Sequence, residues 1–306
     1  MSMRIILAYV ALFCCPFFFS SNAIFGRLAQ DIEPFTLAFL RWSLTGAILA
    51  LVSLRHWSRL SSAWRQNWRL FLALGWLGMW LAGGIVYMAL RETTATNGLL
   101  IYTLPPALVI LIEYFIKGRR SHPREWIGIV MAVFGVLWIM LEGNMSRLAA
   151  LAFNPGDLLF LAAAIGWSFY TLLLRQEPIA DLPTAGLLSL VALTGSVVLF
   201  PFMLWELWDP TAMAFPSRLN QWGLVAGVVS SASIGAFILY NFGVKVLGPS
   251  LASIFMYLLA PVGIFEAWLF LGEVMGPHHW IGAGFVLGGV ILATVPLTLF
   301  RSHNAN

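Results

Sequence analysis

Charge is scarce in this sequence. Asp, Glu, Lys and Arg make up 10% of its 306 residues, hydrophobic types make up 60%, and the mean hydropathy is +0.86. A soluble domain carries about a quarter of its residues as charges, so a water-soluble fold is excluded and a lipid solvent is the simplest reading. Cysteine is almost absent. Cys14 and Cys15 lie side by side inside the first apolar run, where a vicinal disulfide is strained and a metal has no nearby partners, so they read as inert thiols.

Catalytic signatures are missing as well. Lys117 and Lys245 lack the glycine spacing of a Walker A loop, which argues against ATP as an energy source. There is no H-E-x-x-H. Asp31, Asp157, Asp181 and Asp209 all fall at predicted helix ends or in loops, which argues against an intramembrane aspartyl protease, and Ser168 stands between Trp167 and Phe169 rather than in G-x-S-x-G. The reading is therefore not an enzyme, with no cofactor and no metal. The net charge of +4 comes in short clusters between apolar runs, which fits membrane topology and not nucleic acid.

What is present is apolar sequence in lengths of membrane spans. Roughly 20 residues at about 1.5 Å each cross a hydrocarbon core of about 30 Å. Ten runs qualify: 4–27, 34–54, 69–91, 94–116, 124–142, 155–175, 183–206, 219–245, 248–272 and 277–299. The connections are short, and the longest, 55–68 and 207–218, mix Trp, Ser and Arg in the manner of a membrane interface, with Trp57, Trp64 and Trp68 beside Arg59 and Arg65. The first run, with Arg4 before it and Ser21-Asn22-Ala23 near its end, resembles a secretory signal, but the repeat described next argues that it stays.

Basic residues set the orientation. Arg4, Arg55, Arg59, Arg65, Arg69, Lys117, Arg119, Arg120, Arg124, Arg175, Lys245 and Arg301 fall on one side of this arrangement, and Arg27, Arg91, Arg147 and Arg218 on the other, so both termini are expected in the cytoplasm.

The chain repeats itself. Pro123-x-x-Trp126-Ile127-Gly128 with Gly135 recurs as Pro277-x-x-Trp280-Ile281-Gly282 with Gly289, and Tyr102-x-x-x-Pro106 recurs as Tyr257-x-x-x-Pro261. Ser20 and Arg27 match Ser168 and Arg175, and Tyr87 matches Tyr240. Helices one to five thus map onto six to ten. Five is odd, so the second half enters the membrane from the opposite side. The expected fold is all-α and integral to the membrane, ten helices in a 5+5 inverted repeat, with halves 1–148 and 149–306 around a central cavity.

These repeated elements resemble the drug/metabolite transporter superfamily in its ten-helix EamA-type branch. The residues that carry the resemblance are Trp167-Ser168, the two Tyr-x-x-x-Pro elements, Leu271-Gly272-Glu273 and the two Pro-x-x-Trp-Ile-Gly elements, and it covers essentially the whole chain. Tyr102-Thr-Leu-Pro-Pro106 and Gly166-Trp-Ser-Phe-Tyr170 are similar to YddG-type exporters of aromatic and other amino acids, although Leu104 stands where a close relative would carry Trp. The resemblance implies a cavity lined by helices 1, 3, 4, 6, 8 and 9, with 2, 5, 7 and 10 behind.

The lining helices offer Tyr87, Tyr102, Trp167, Tyr170, Tyr240 and Tyr257, whose faces can stack on a substrate while hydroxyls and the indole N–H orient its polar end; packing or interfacial roles compete. Asn97 and Asn241 place amides inside apolar runs, either for an amino or carboxylate group or for bonds between helices. Pro106 and Pro261 each delete a backbone hydrogen bond near mid-helix and are hinge candidates, or simply shape the bundle. Three ionisable groups stand inside spans. Glu113 is four residues from Lys117, where snorkelling or an ion pair is favoured over proton coupling. Glu266 is directed toward a neighbouring helix, with proton coupling open. Arg41, on helix two, which the resemblance places behind the cavity, reads as a structural pair or a snorkelling side chain in preference to a group that binds a substrate carboxylate. Gly128, Ala132, Gly135, Gly284 and Gly288 permit close helix contact, within the chain or in a homo-oligomer.

Together these features describe a multi-pass carrier of the bacterial inner membrane, its partners a small solute and the lipid bilayer, exporting aromatic or neutral amino acids or related metabolites by alternating access. A drug or other metabolite carrier, a channel and a non-transporting scaffold are the alternatives.

Overall fold

Proline opens many of the helices, because the first turn of a helix has N–H groups with no partner and loses nothing when one is missing. The computed structural model describes residues 2–29, 31–92, 101, 104–118, 122–150, 154–208, 215–271 and 275–294. In order they form α1 (Met3–Leu28), α2 (Pro34–Val52), α3 (Trp57–Leu74), a π-helical segment (Gly75–Gly84), α4 (Ile85–Glu92), α5 (Pro105–Lys117), α6 (Pro123–Met140) and α7 (Pro155–Leu173). The short α8 (Glu177–Ala180) leads to α9 (Thr184–Leu207), α10 (Leu219–Gly227), a second π-helical segment (Val228–Gly235), α11 (Ala236–Leu247), α12 (Pro249–Ile254), a 3₁₀ turn (Phe255–Leu258), α13 (Leu259–Leu271) and α14 (Pro277–Thr294).

Eight helical stretches among the described residues are long and apolar enough to cross a membrane: Met3–Asn22, Pro34–Val52, Leu54–Ala89, Pro123–Met140, Pro155–Leu173, Thr184–Leu207, Leu219–Leu247 and Pro249–Glu266. The shorter apolar helix Pro105–Ile116 lies in the region expected to hold the fourth span, and α14 in that of the tenth. α14 opens on His278 and His279, which lower its apolar content. One expectation is corrected outright. The supposed linker 55–68 is helical, and α3 runs through it with a kink at Asn67 (φ −126°, ψ 29°). Leu60 is fully buried on its inner face while Trp57, Trp64 and Trp68 are exposed, so an amphipathic helix satisfies the interfacial composition better than a loop does.

Apolar side chains point outward as well as inward. Leu7, Val10 and Phe13 on α1, Val130 on α6 and Val197 on α9 are each more than half exposed, as lipid-facing positions are. Inside, buried hydroxyls bond to carbonyls four residues back in their own helices, as in Ser168 to Ala164 (2.8 Å) and Thr171 to Trp167 (2.8 Å), so no helix end need open for them.

Two tight pairs brace the bundle. α6 packs against α14, and the pairing runs antiparallel: a Cβ on Gly128 would stand 2.5 Å from the Gly289 carbonyl oxygen, and one on Gly135 would stand 2.6 Å from that of Gly282. This corrects the expectation for helix ten, because Gly282 and Gly289 make the contact, while Gly284 meets nothing within 4 Å. α2 packs against α9, where Ser189 donates to the Gly46 carbonyl (3.0 Å) and the Glu206 carboxylate accepts from the Phe35 and Thr36 backbone N–H groups (2.8 and 2.7 Å). That carboxylate caps the N-terminus of α2 from another helix, where the helix dipole favours it. Against this frame α1 packs on α11 and α7 on the first π-helical segment and α4.

Candidate functional site

The two π-helical segments prepare the centre. Each begins twelve residues before a tyrosine, Gly75 before Tyr87 and Val228 before Tyr240. Wide turns of this kind are rare and gather at functional sites. In the first, Gly78 has no side chain and the Tyr170 ring lies where one would be, so that a Cβ there would come within 2.6 Å of it. The ring of Tyr170 thereby packs directly on the backbone of the neighbouring helical segment.

Trp167 and Tyr170 on α7 meet Phe237, Tyr240 and Asn241 on α11. Trp167 stacks on Tyr170 (5.3 Å between centroids), tilts against Tyr240 (5.1 Å) and meets Phe237 edge-on (5.4 Å), and Phe19 of α1 closes the group at 5.6 Å from Trp167. Tyr170 donates to the Asn241 side-chain oxygen (3.2 Å), and the Tyr240 hydroxyl shares a hydrogen bond with Thr171 (3.0 Å). Tyr170 and Tyr240 expose no surface, so the rings fill the centre and do not line an open cavity. Within this packing the Asn241 amide nitrogen has no hydrogen-bond partner among the described residues, and the Trp167 indole N–H has none beyond a long approach to the Tyr240 hydroxyl. Buried polar groups are nearly always paired, and orphans of this kind mark a place where a ligand or water completes the set.

Of the residues the sequence pointed to, the structure brings Trp167, Tyr170, Tyr240 and Asn241 into one cluster. Tyr87 is elsewhere: its hydroxyl accepts from Arg41 (2.9 Å) and donates to the Asn22 side-chain oxygen (2.7 Å). Tyr257 is buried with an unpartnered hydroxyl and joins neither group. Asn97 and Tyr102 lie outside the described residues. Pro261 is the third residue of α13, just past the 3₁₀ turn Phe255–Leu258, a local change of winding of the kind a proline imposes, whereas Pro106 occupies the second position of α5, where its missing N–H costs nothing.

The buried carboxylates neither snorkel nor stand alone. Glu113 (6% exposed) accepts a hydrogen bond from Ser250 of α12, and Glu266 (7%) accepts one from Ser20 of α1 (2.7 Å). Arg41 also departs from expectation. It is 4% exposed and forms no ion pair with any described residue; Nε donates to Ser233 Oγ (2.6 Å), Nη1 to Asn22 and Tyr87 (3.1 and 2.9 Å) and Nη2 to the Ala232 carbonyl (3.0 Å). Its guanidinium lies over the Trp42 ring, 4.5 Å from the centroid, and Trp42 packs on Phe237 at 4.8 Å. Phe237 thus joins the two groups. The sequence held a signal for it, since Phe237, Tyr240 and Asn241 share one face at spacings of three and four.

Comparison with known proteins agrees with this architecture. The EamA-like transporter family matches residues 6–141 and 154–295. The chain belongs to that family. Proteins similar to it include the uncharacterized transporters YyaM and YetK of Bacillus subtilis, 24% and 23% identical over 86% and 94% of this chain and 85% and 87% of theirs. The uncharacterized inner membrane transporter YedA of Escherichia coli is 24% identical over 74% of this chain and 71% of its own length. One solved crystal structure superposes with a TM-score of 0.75, covering 98% of this chain and 99% of that one at 21% identity, and so shares the fold. Membership makes this EamA-like protein a multi-pass membrane transporter for a small solute and places it in the drug/metabolite transporter superfamily.

Proposed function

We propose that this EamA-like transporter is a ten-helix carrier of two inverted halves, 1–148 and 149–306, that exports aromatic or other neutral amino acids, or closely related metabolites, by alternating access. The two-fold exchange of contacts supports the inverted repeat. Gly128 corresponds to Gly282 and Gly135 to Gly289 in sequence, while in space Gly128 meets Gly289 and Gly135 meets Gly282, as two copies related by an axis between them would. The paired π-helical segments and the two matched stretches of the family fit the same scheme. α5 and α14 supply the fourth and tenth spans of that scheme. The excess of basic residues on one side supports cytoplasmic termini in a bacterial inner membrane.

One observation carries the substrate class: a buried stack of rings, Phe19, Trp167, Tyr170, Phe237 and Tyr240, holding polar donors that have no close acceptor among the described residues. Flat apolar faces with a few placed donors suit an amphiphilic solute with an aromatic or aliphatic side chain. Glu113 and Glu266 are the groups through which a proton gradient would act. Each binds a serine of a different helix, Ser250 of α12 and Ser20 of α1, so protonation would loosen one helix contact at a time.

Uptake of labelled phenylalanine, tryptophan, leucine and threonine into proteoliposomes tests this. Saturable uptake, accelerated by unlabelled substrate inside, is expected. Flux that never saturates would indicate a channel, and no flux above empty liposomes would remove amino acids in favour of other metabolites or drugs.

A further inference from the structure

Arg41 stands seven residues into α2, about 10 Å of rise from its start, and is buried. All four of its hydrogen-bond partners are neutral, and no carboxylate among the described residues pairs with it. An uncompensated guanidinium is costly in an apolar setting, and a purely structural one would be expected to carry a counter-ion. Of its five N–H donors four are engaged, and one on Nη2 has no partner among the described residues. Two of the acceptors, the Ala232 carbonyl and the Ser233 hydroxyl, come from the second π-helical segment, so irregular backbone is used to hold the cation in place.

The indole N–H of Trp42, next to Arg41, is buried and has no partner among the described residues, and beyond Phe237 the Trp167 N–H has only a long approach to the Tyr240 hydroxyl. The Arg41 cation and the Trp42 and Trp167 indoles therefore pack around one aromatic ring, with no negative charge among them. Asn22, Ser21 and Ser231 beside this group are half-buried.

We propose that Arg41 is the anchor for a carboxylate on the transported solute, so that the carrier selects small organic anions and zwitterions over their uncharged or purely cationic analogues. The carboxylate takes the remaining Nη2–H and the Trp42 N–H, Phe237 swings aside, and the solute's side chain lies against Trp167 and Tyr240. Tyr87 and Asn22 hold the guanidinium in register. This deepens the carrier reading above and rests on the same site.

The test compares 3-phenylpropionate with 3-phenylpropionamide, and phenylalanine with phenylalaninamide, as stabilisers of the purified full-length protein in a thermal-shift titration. The wild type is expected to prefer each acid over its amide by about tenfold or more, in line with a charge-assisted bond. Arg41→Gln should erase that preference. Arg41→Lys, which keeps the charge but not the planar fork, should weaken the acids several-fold. Equal binding of acid and amide by the wild type overturns the anchor, as does an undiminished preference in Arg41→Gln, or, should that variant not fold, an unweakened one in Arg41→Lys. The two readings fail separately. Amino-acid transport without acid preference removes the anchor alone, whereas an Arg41-dependent acid preference without amino-acid transport removes the amino-acid assignment and keeps the anchor.

Discussion

Individual side chains in the centre carry separable jobs. Trp167 touches Phe19, Tyr170, Phe237 and Tyr240, so Trp167→Ala removes the common wall of the cluster. In the carrier reading, this variant is expected to insert normally and to raise KM for aromatic amino acids by about tenfold or more, since a buried aromatic contributes well over 1 kcal/mol of contact. Kinetics equal to wild type would remove it from the site. Tyr240→Phe gives up just the hydroxyl bonded to Thr171 and should cost about 1 kcal/mol of stability in a thermal-denaturation measurement. At this scale the sequence was informative about chemistry and blind to grouping. Polar aromatics in apolar helices are visible as letters, but whether Tyr87 faces Tyr240 or Arg41 depends on how two helices rotate about their axes, and no local rule fixes that.

At the level of elements, glycine determines which helices touch. α6 and α14 approach until backbone meets backbone, and Gly135→Leu would drive its Cβ to within 2.6 Å of the Gly282 carbonyl oxygen. We expect this variant to lose about 2 kcal/mol or more of stability, read as a lowered melting temperature in detergent, because overpacking of this kind forces the helices apart. Gly284→Ala, which meets nothing within 4 Å, is the control and should melt like wild type. The motif containing Gly128, Gly135, Gly282 and Gly289 was legible as a repeat. Which of the glycines in helix ten bring backbone against backbone was not, because Gly284 and Gly288 fit a small-residue pattern as well as Gly282 and Gly289 do, yet Gly284 meets nothing within 4 Å and Gly288 only the Met131 side chain.

For the whole molecule, the asymmetry of Lys and Arg is the quantity that sets orientation. A reporter that fluoresces only in the cytoplasm should be bright at either end of the chain, and a phosphatase active only outside should be silent at both; the opposite pattern at one end would break the even number of spans. Composition by itself determined that the chain lives in lipid, since so few charges cannot clothe a water-facing surface, and the spacing of apolar runs placed most helix boundaries within a few residues. Hydrophobic length is a local property and is written along the chain. Tertiary structure alone decided that the linker 55–68 is helical, that Glu206 caps α2 across a helix boundary, that Phe237 joins the ring cluster to Arg41, and that Arg41 has no counter-ion within the described structure. Those facts depend on pairs of residues far apart in sequence, and in a bundle whose helices are apolar on every side, periodicity gives no face to orient them by.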